Sequence, residues 1–262
     1  MAASPPTPPR GVRRRAVLAA GAWATPVIAA GVAAPLAAAS PCPPAAYLLD
    51  WGVTAYTRTS DGLSGSATIT SPTTPTAPAV TLAITSTFVN AGTAGTMVPN
   101  LSSGLNNLSA YTASTLGGTT QNGLIIIQDW QHTGTKTPNR NYRQEITFTF
   151  SQPVSNLSFL MTDIDSQTAN FWDVTEISSA ASYTATTNAT VAGGATGPWA
   201  QTTSNNSLDP SVAGGNVQVT FTAPVTTFAI VYWNKQSNVT SGNGLQGMFV
   251  ADMSFSYAAN TC

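Results

Sequence analysis

Apolar and polar positions alternate along most of this 262-residue chain. The clearest case is Ile146, Phe148 and Phe150 with Thr147 and Thr149 between them, which sets three large apolar side chains on one face of an extended segment and hydroxyls on the other. Similar runs occupy Val80 to Phe88, Gly123 to Trp130, Ser182 to Val191, Asn216 to Phe221, Thr227 to Trp233 and Gly247 to Tyr257. Gly, Pro, Asn and Thr fill the gaps, and no convincing helical period separates one run from the next. Short strands at this spacing predict an all-β fold, an antiparallel β-sandwich of jelly-roll type, rather than a βαβ architecture.

One pattern occurs twice. Phe150, Pro153, Val154, Leu157 and Phe159 are echoed by Phe221, Pro224, Val225, Phe228 and Ile230 at the same spacing. Proline cannot donate to a sheet ladder, so each copy reads as strand, proline turn, strand. Two hairpins of one design are implied, with the residues four and six places after each proline facing the core.

The first 39 residues carry a different pattern. Arg13, Arg14 and Arg15 precede an apolar run that ends at Ala37-Ala38-Ala39, small residues suited to signal-peptidase cleavage. The order Arg14-Arg15-Ala16-Val17-Leu18, followed by Gly-Ala-Trp-Ala-Thr-Pro-Val-Ile-Ala, resembles the twin-arginine leaders of actinobacterial secreted proteins. That resemblance implies a signal peptide over 1–39 and one sandwich domain over 40–262, secreted or held in the cell envelope, and not an integral membrane protein after processing.

Composition and cysteines fit such a setting. Charged residues are only 7% of the chain, with hydroxyls and amides in their place. Beyond the leader, Arg58, Lys136, Arg140, Arg143 and Lys235 face ten carboxylates, a balance that disfavours nucleic-acid partners, which demand clustered cations. Cys42 and Cys262 stand at the two ends of the expected domain, where a disulfide would staple the termini in an oxidising compartment. Lipidation of Cys42 is excluded, because Pro41 stands where a lipobox needs a small residue.

Candidate chemistry concentrates between Glu145 and Asp173. Counting by two from Leu157 through Phe159 and Met161 places Asp163 and Asp165 on the core-facing side of a strand end. Carboxylates there need a cation, an Arg or Lys partner, or backbone N–H donors. Ca²⁺ bound by Asp163, Asp165 and Asp173 with loop carbonyls is one solution. Asx-type hydrogen bonds or pairing with Arg140 or Arg143 is the other. The segment from Ile146 to Asp165, ending Asp-Ile-Asp, resembles one found in secreted and surface-anchored bacterial proteins, including lectin-like and adhesin domains. The resemblance implies a sandwich displayed outside the cell, without fixing an activity.

Trp130, His132, Trp172, Trp199 and Trp233, with Tyr232, lie near predicted strand ends amid polar loops. Rings stack on sugar faces while Asn, Gln and Asp bond hydroxyls, so these residues are candidates for a glycan-binding surface, unless they simply fill the core. Catalysis finds less support. His132 is the single histidine, there is no Gly-x-Ser-x-Gly elbow, and no catalytic set can be assigned. A hydrolase with two carboxylates across a groove stays behind the two other readings, a binding or adhesion module and a structural envelope protein.

Overall fold

The computed structural model describes residues 42–90, 95–98, 106–112, 115–240, 242 and 244–259. The expected signal peptide with Arg14 and Arg15, and Cys262, lie outside the described residues.

In chain order the strands begin with β1 (Ala45–Leu49), β2 (Ala55–Arg58), β3 (Ser64–Ile69), β4 (Val80–Asn90), β5 (Thr96–Val98) and β6 (Ala110–Tyr111). Next come β7 (Gly123–Gln131), β8 (Tyr142–Thr162), β9 (Ser166–Gln167), β10 (Phe171–Ser178), β11 (Tyr183–Thr187), β12 (Val191–Ala192) and β13 (Trp199–Gln201). A 3-10 turn at Ala213–Gly215 leads into β14 (Val217–Phe221), β15 (Val225–Asn234), β16 (Leu245–Ala251) and β17 (Met253–Tyr257). Among the described residues there is no α-helix, and hence no helix long and apolar enough to cross a membrane.

All pairings between these strands are antiparallel, and they make a β-sandwich. One layer runs β2, β3, β4, the first half of β8, β15, β10, β13 and β12. The other sets β16 and β17 against the second half of β8, with β14 and then β11 on the far side of β8. In that second layer β7 flanks β16 and β1 flanks β17.

β8 belongs to both layers. Its Phe150 pairs with Leu82 of β4, whereas its Phe159 pairs with Val219 of β14, and the residues between them, Ser151 to Pro153, are exposed. Pro153 supplies no N–H to either ladder, so the chain leaves one sheet there and enters the other. Pro224 does the same in reverse: β14 lies in the second layer, β15 in the first, and Val225 pairs with Val154. The repeated pattern therefore encodes two sheet-crossing corners lying side by side, not the two hairpins that the prolines suggested. The inward positions after each proline hold, since Leu157, Phe159, Phe228 and Ile230 are all buried.

Aromatic stacking joins the layers. Phe228 of β15 stacks on Phe148 within its own layer at 4.9 Å and on Phe159 of the other at 5.4 Å, with Phe221 tilted against it at 5.2 Å. A ring buried this way removes roughly 150–250 Å² from water, which at about 25 cal/mol/Å² favours folding by several kcal/mol.

Three residues reset the alternation that the sequence pattern continues unbroken. Asn156 and Asp163 have φ of 55° and 64°, the left-handed region that Asn and Asp tolerate better than most residues. Across Asn156 the inward positions shift from Val154 to Leu157, and across Asp163 from Met161 to Ile164. Asp252, between β16 and β17, does likewise: Met248 and Val250 face the main core before it and Met253 and Phe255 after it. Phe249 and Ala251 instead join a smaller cluster with Ile125 and Ile127 on the outer face of the second layer. The Asp252 carboxylate accepts the backbone N–H of Trp51 at 2.9 Å and of Asn122 at 3.3 Å, fastening this break.

Candidate functional site: an acidic cleft beside the end of β8

At Thr162 β8 still pairs with Phe249 of β16. The left-handed turn at Asp163 then swings the chain away, and the cleft lies between the departing segment and β16. Thr162 Oγ1 donates to Asn216 Oδ1 at 2.6 Å, and Ile164 rests on the backbone of Gly215, where a Cβ would stand 2.6 Å from the Ile164 nitrogen. Gly215 is thus what lets the segment 163–165 lie where it does.

The cleft holds about 320 Å³, near the lower end of the roughly 300–1,000 Å³ usual for small-molecule sites. Ile125, Ile127, Leu245 and Phe249 give it an apolar lining, and Asp163, Asp165, Asn170 and Ser207 supply polar groups; Gln246 borders it too, but its side chain, opposite Gln128 and on the same face as Met248, lies on the inner side. Phe171 and Leu208 also line it. Two features stand out chemically. Asp163 Oδ1 is buried without a hydrogen-bond partner among the described residues, and so are both amide atoms of Gln246, a residue only 3% exposed. Most buried polar groups are satisfied, so orphaned ones mark a place where the fold tolerates a cost.

Asp165 and Asp173 are tied more tightly. Leu208 N–H donates to Asp165 Oδ2 at 2.8 Å, the Asp165 N–H donates to Asp173 Oδ2 at 3.2 Å, and the Tyr232 hydroxyl donates to Asp173 Oδ1 at 2.7 Å. Burial raises the Asp163 carboxyl to about 8, helped by the charges of Asp165 and Asp209. Asp165 rises to about 6, again by burial, opposed by its hydrogen bonds to the Leu208 amide, Asp173 and Ser207. Asp173, fully buried, is pushed well above the ordinary range by desolvation and then by Asp165.

The structure brings Asp163, Asp165 and Asp173 together, but not as the calcium ligand set expected from the sequence. No group of three or more His, Cys, Asp or Glu among the described residues could hold a metal ion. The physical reason is that Asp173 turns one oxygen to Tyr232 and the other to the Asp165 amide, while Asp165 gives one to Leu208. Pairing with Arg140 or Arg143 does not occur either. Arg140 bonds Glu176, and Arg143 bonds Glu145 at 2.6 Å.

The aromatic candidates do not form an open row. Trp130 and Trp199 are 2% and 0% exposed. Trp130 faces inward because β7 alternates Leu124, Ile126, Gln128, Trp130, and Trp199 packs in the main core with its indole N–H on the Gly194 carbonyl. His132 stacks on Trp130 at 4.2 Å between the Trp130 and Val239 carbonyls. Trp233 is buried on the outer face of the first layer with Val174 and Val231, the Arg140 guanidinium 5.7 Å from its ring centre. Trp172, half-buried beside it, carries Lys235 Nζ at 4.1 Å over its ring. Phe171 and Phe249, the rings that do line the cleft, were missed because a phenylalanine in an alternating run reads as core.

No protein-family model, no curated protein and no solved structure matches this chain.

Proposed function

We propose that the protein is an exported binding module that takes a carbohydrate in the cleft beside Asp163 and Asp165. The observation that carries this reading is the convergence of Asp163, Asp165, Asn170 and Ser207 beside an apolar lining that includes Phe171 and Phe249. A pyranose offers the complement, hydroxyls around its edge and C–H groups on its faces. Export is supported by the twin-arginine pattern at Arg14 and Arg15 and by a surface in which hydroxyls and amides replace charges.

Phe171 and Leu245 make the reading testable, because both line the cleft and neither is fully buried. Phe171→Ala and Leu245→Ala are each expected to lose binding on a glycan array at least fivefold. An array on which the parent chain retains nothing overturns the proposal, and so does equal binding by the parent and both variants.

The hydrolase reading draws on the same pair. With Asp163 near 8 and Asp165 near 6, one carboxyl is protonated and its neighbour ionised at neutral pH, the division of labour of an acid and a base. Release of reducing ends from a bound oligosaccharide, lost in Asp163→Asn, would move the protein into that class.

A further inference from the structure

We infer that a pair of ordered waters is bound between the two layers by the side-chain amides of Gln128, Gln144 and Gln246. The site lies on the inner side of β16, away from the cleft, and does not depend on the binding reading.

Along β7 the residues facing inward are Leu124, Ile126, Gln128 and Trp130, and along β16 they are Gln246, Met248 and Val250. Both apolar runs thus give way to a glutamine, and register sets the two glutamines directly opposite each other. The first layer supplies a third. Gln144 of β8 shares a face with Ile146 and Phe148, between Phe88 of β4 and Tyr232 of β15. Asn107 holds it against β7: Asn107 Oδ1 accepts from Gln144 Nε2 at 2.8 Å and from the N–H of Ile127, one residue before Gln128, at 3.2 Å. Three amides from three strands therefore converge on one stretch of the interior, none of the residues more than 3% exposed.

What these amides lack defines what they hold. Gln144 commits both amide hydrogens, to Ser86 Oγ at 2.9 Å and to Asn107 Oδ1, and its Oε1 has no donor among the described residues. Gln128 Oε1 has none either, and Gln246 lacks a partner at both Oε1 and Nε2. Gln246 Nε2 and Gln128 Oε1 are complementary and stand on opposed residues, yet they do not bond to each other. Buried polar groups in this position are met by internal water. The three oxygens ask for three hydrogens, and the Gln246 NH₂ asks for two lone pairs. One water has only two hydrogens to give. Two waters bonded to each other keep three hydrogens and three lone pairs for the protein, which covers the whole demand. A cation would suit the oxygens and leave the Gln246 NH₂ facing positive charge, an anion would meet three oxygens, and an apolar molecule would satisfy nothing.

A high-resolution crystal structure of the full chain is the direct test. Two water positions are expected, each within about 2.7–3.2 Å of two or more of these amide atoms. A direct Gln246–Gln128 bond with nothing between the layers overturns the inference. Thermal melting supplies an independent reading. Gln246→Leu strips the waters of most of their contacts and leaves the Gln128 and Gln144 oxygens short, so its midpoint is expected to fall by at least about 2–4 °C. Replacing an amide that truly had no partner would raise the midpoint instead, and that result overturns the inference too. The midpoint of the parent chain is expected to stay the same when potassium replaces sodium or CaCl₂ is added at constant ionic strength. A rise with any of these salts that Gln144→Leu abolishes overturns the inference in favour of a bound cation.

Discussion

The Tyr232 hydroxyl donates to Asp173 Oδ1 at 2.7 Å, and neither side chain has any exposed surface. The two sit on adjacent strands, Tyr232 opposite Thr175 and Asp173 opposite Asn234, so the bond runs diagonally across the inner face of the first layer. Tyr232→Phe removes the donor and leaves Asp173 with the Asp165 amide alone. A buried acceptor stripped of a partner costs about 1–3 kcal/mol, which urea unfolding would measure. Asp173→Asn is expected to destabilise as well, because Tyr232 and the Asp165 N–H donate to different oxygens, and in Asn one of those positions is an NH₂ that donates instead of accepting.

Stability should depend on pH in an unusual direction. Asp163, Asp165 and Asp173 all have folded-state values above the 3.8 of an unperturbed aspartate. Between about pH 4 and pH 8 the folded chain therefore binds more protons than the unfolded one, and stability falls as pH rises. The contribution is complete below about pH 4 and disappears progressively through 6 for Asp165 and 8 for Asp163. The slope is on the order of 1 kcal/mol per pH unit for each group in its own range. Denaturation midpoints from pH 5 to 8.5 are the measurement. In Asp163→Asn the decline above pH 6.5 should flatten, and a parent profile that climbs toward pH 8 would contradict the assigned burial.

The sequence discloses the sandwich more readily than the site. Ile146, Phe148 and Phe150 face the core as their alternation requires, because a two-residue period survives wherever the backbone stays extended. It fails at Asn156, Asp163 and Asp252, where one residue out of step flips every later side chain. Counting by two therefore set Asp163 on the core side of a strand, although β8 ends one residue earlier. The three aspartates were still recognised as a group, since short spacing on a tight return keeps them close under any register. The pairing of Asp165 with Leu208 was not legible, because it joins two loops distant in the chain. Nor could the pattern tell a proline corner from a proline hairpin, which differ in where the second strand finds its partner.

Gly215 offers a way to disturb the cleft without touching its chemistry. A Cβ there would lie 2.6 Å from Ile164 N and 2.8 Å from Ile164 O, both backbone atoms that cannot rotate aside. Gly215→Ala must push the segment 163–165 or the 3-10 turn outward. A cost on the order of 1–3 kcal/mol is expected from overpacking of this kind. Glycan affinity should fall with it, although no group facing the cleft has changed. Wild-type stability in this variant, read by thermal melting, would show that the contact yields more easily than its geometry implies.

The chain ends supply the last expectation. Cys42 is buried and is not a free thiol, and the sequence contains only one other cysteine, Cys262, outside the described residues. β1 begins three residues after Cys42 and pairs with β17, the last strand, in register from Ala45 with Tyr257 to Leu49 with Met253. β1 and β17 are thus already drawn together by the ladder, and a Cys42–Cys262 bond would close a loop of about 220 residues at little further conformational cost. Alkylation of the unfolded, unreduced protein is expected to label no thiol, with two labelled after reduction. Because such a cross-link acts mainly on the unfolded ensemble, Cys42→Ser should lower stability by about 2–4 kcal/mol while leaving the β1–β17 pairing formed. Two reactive thiols in the unreduced protein would contradict the pairing.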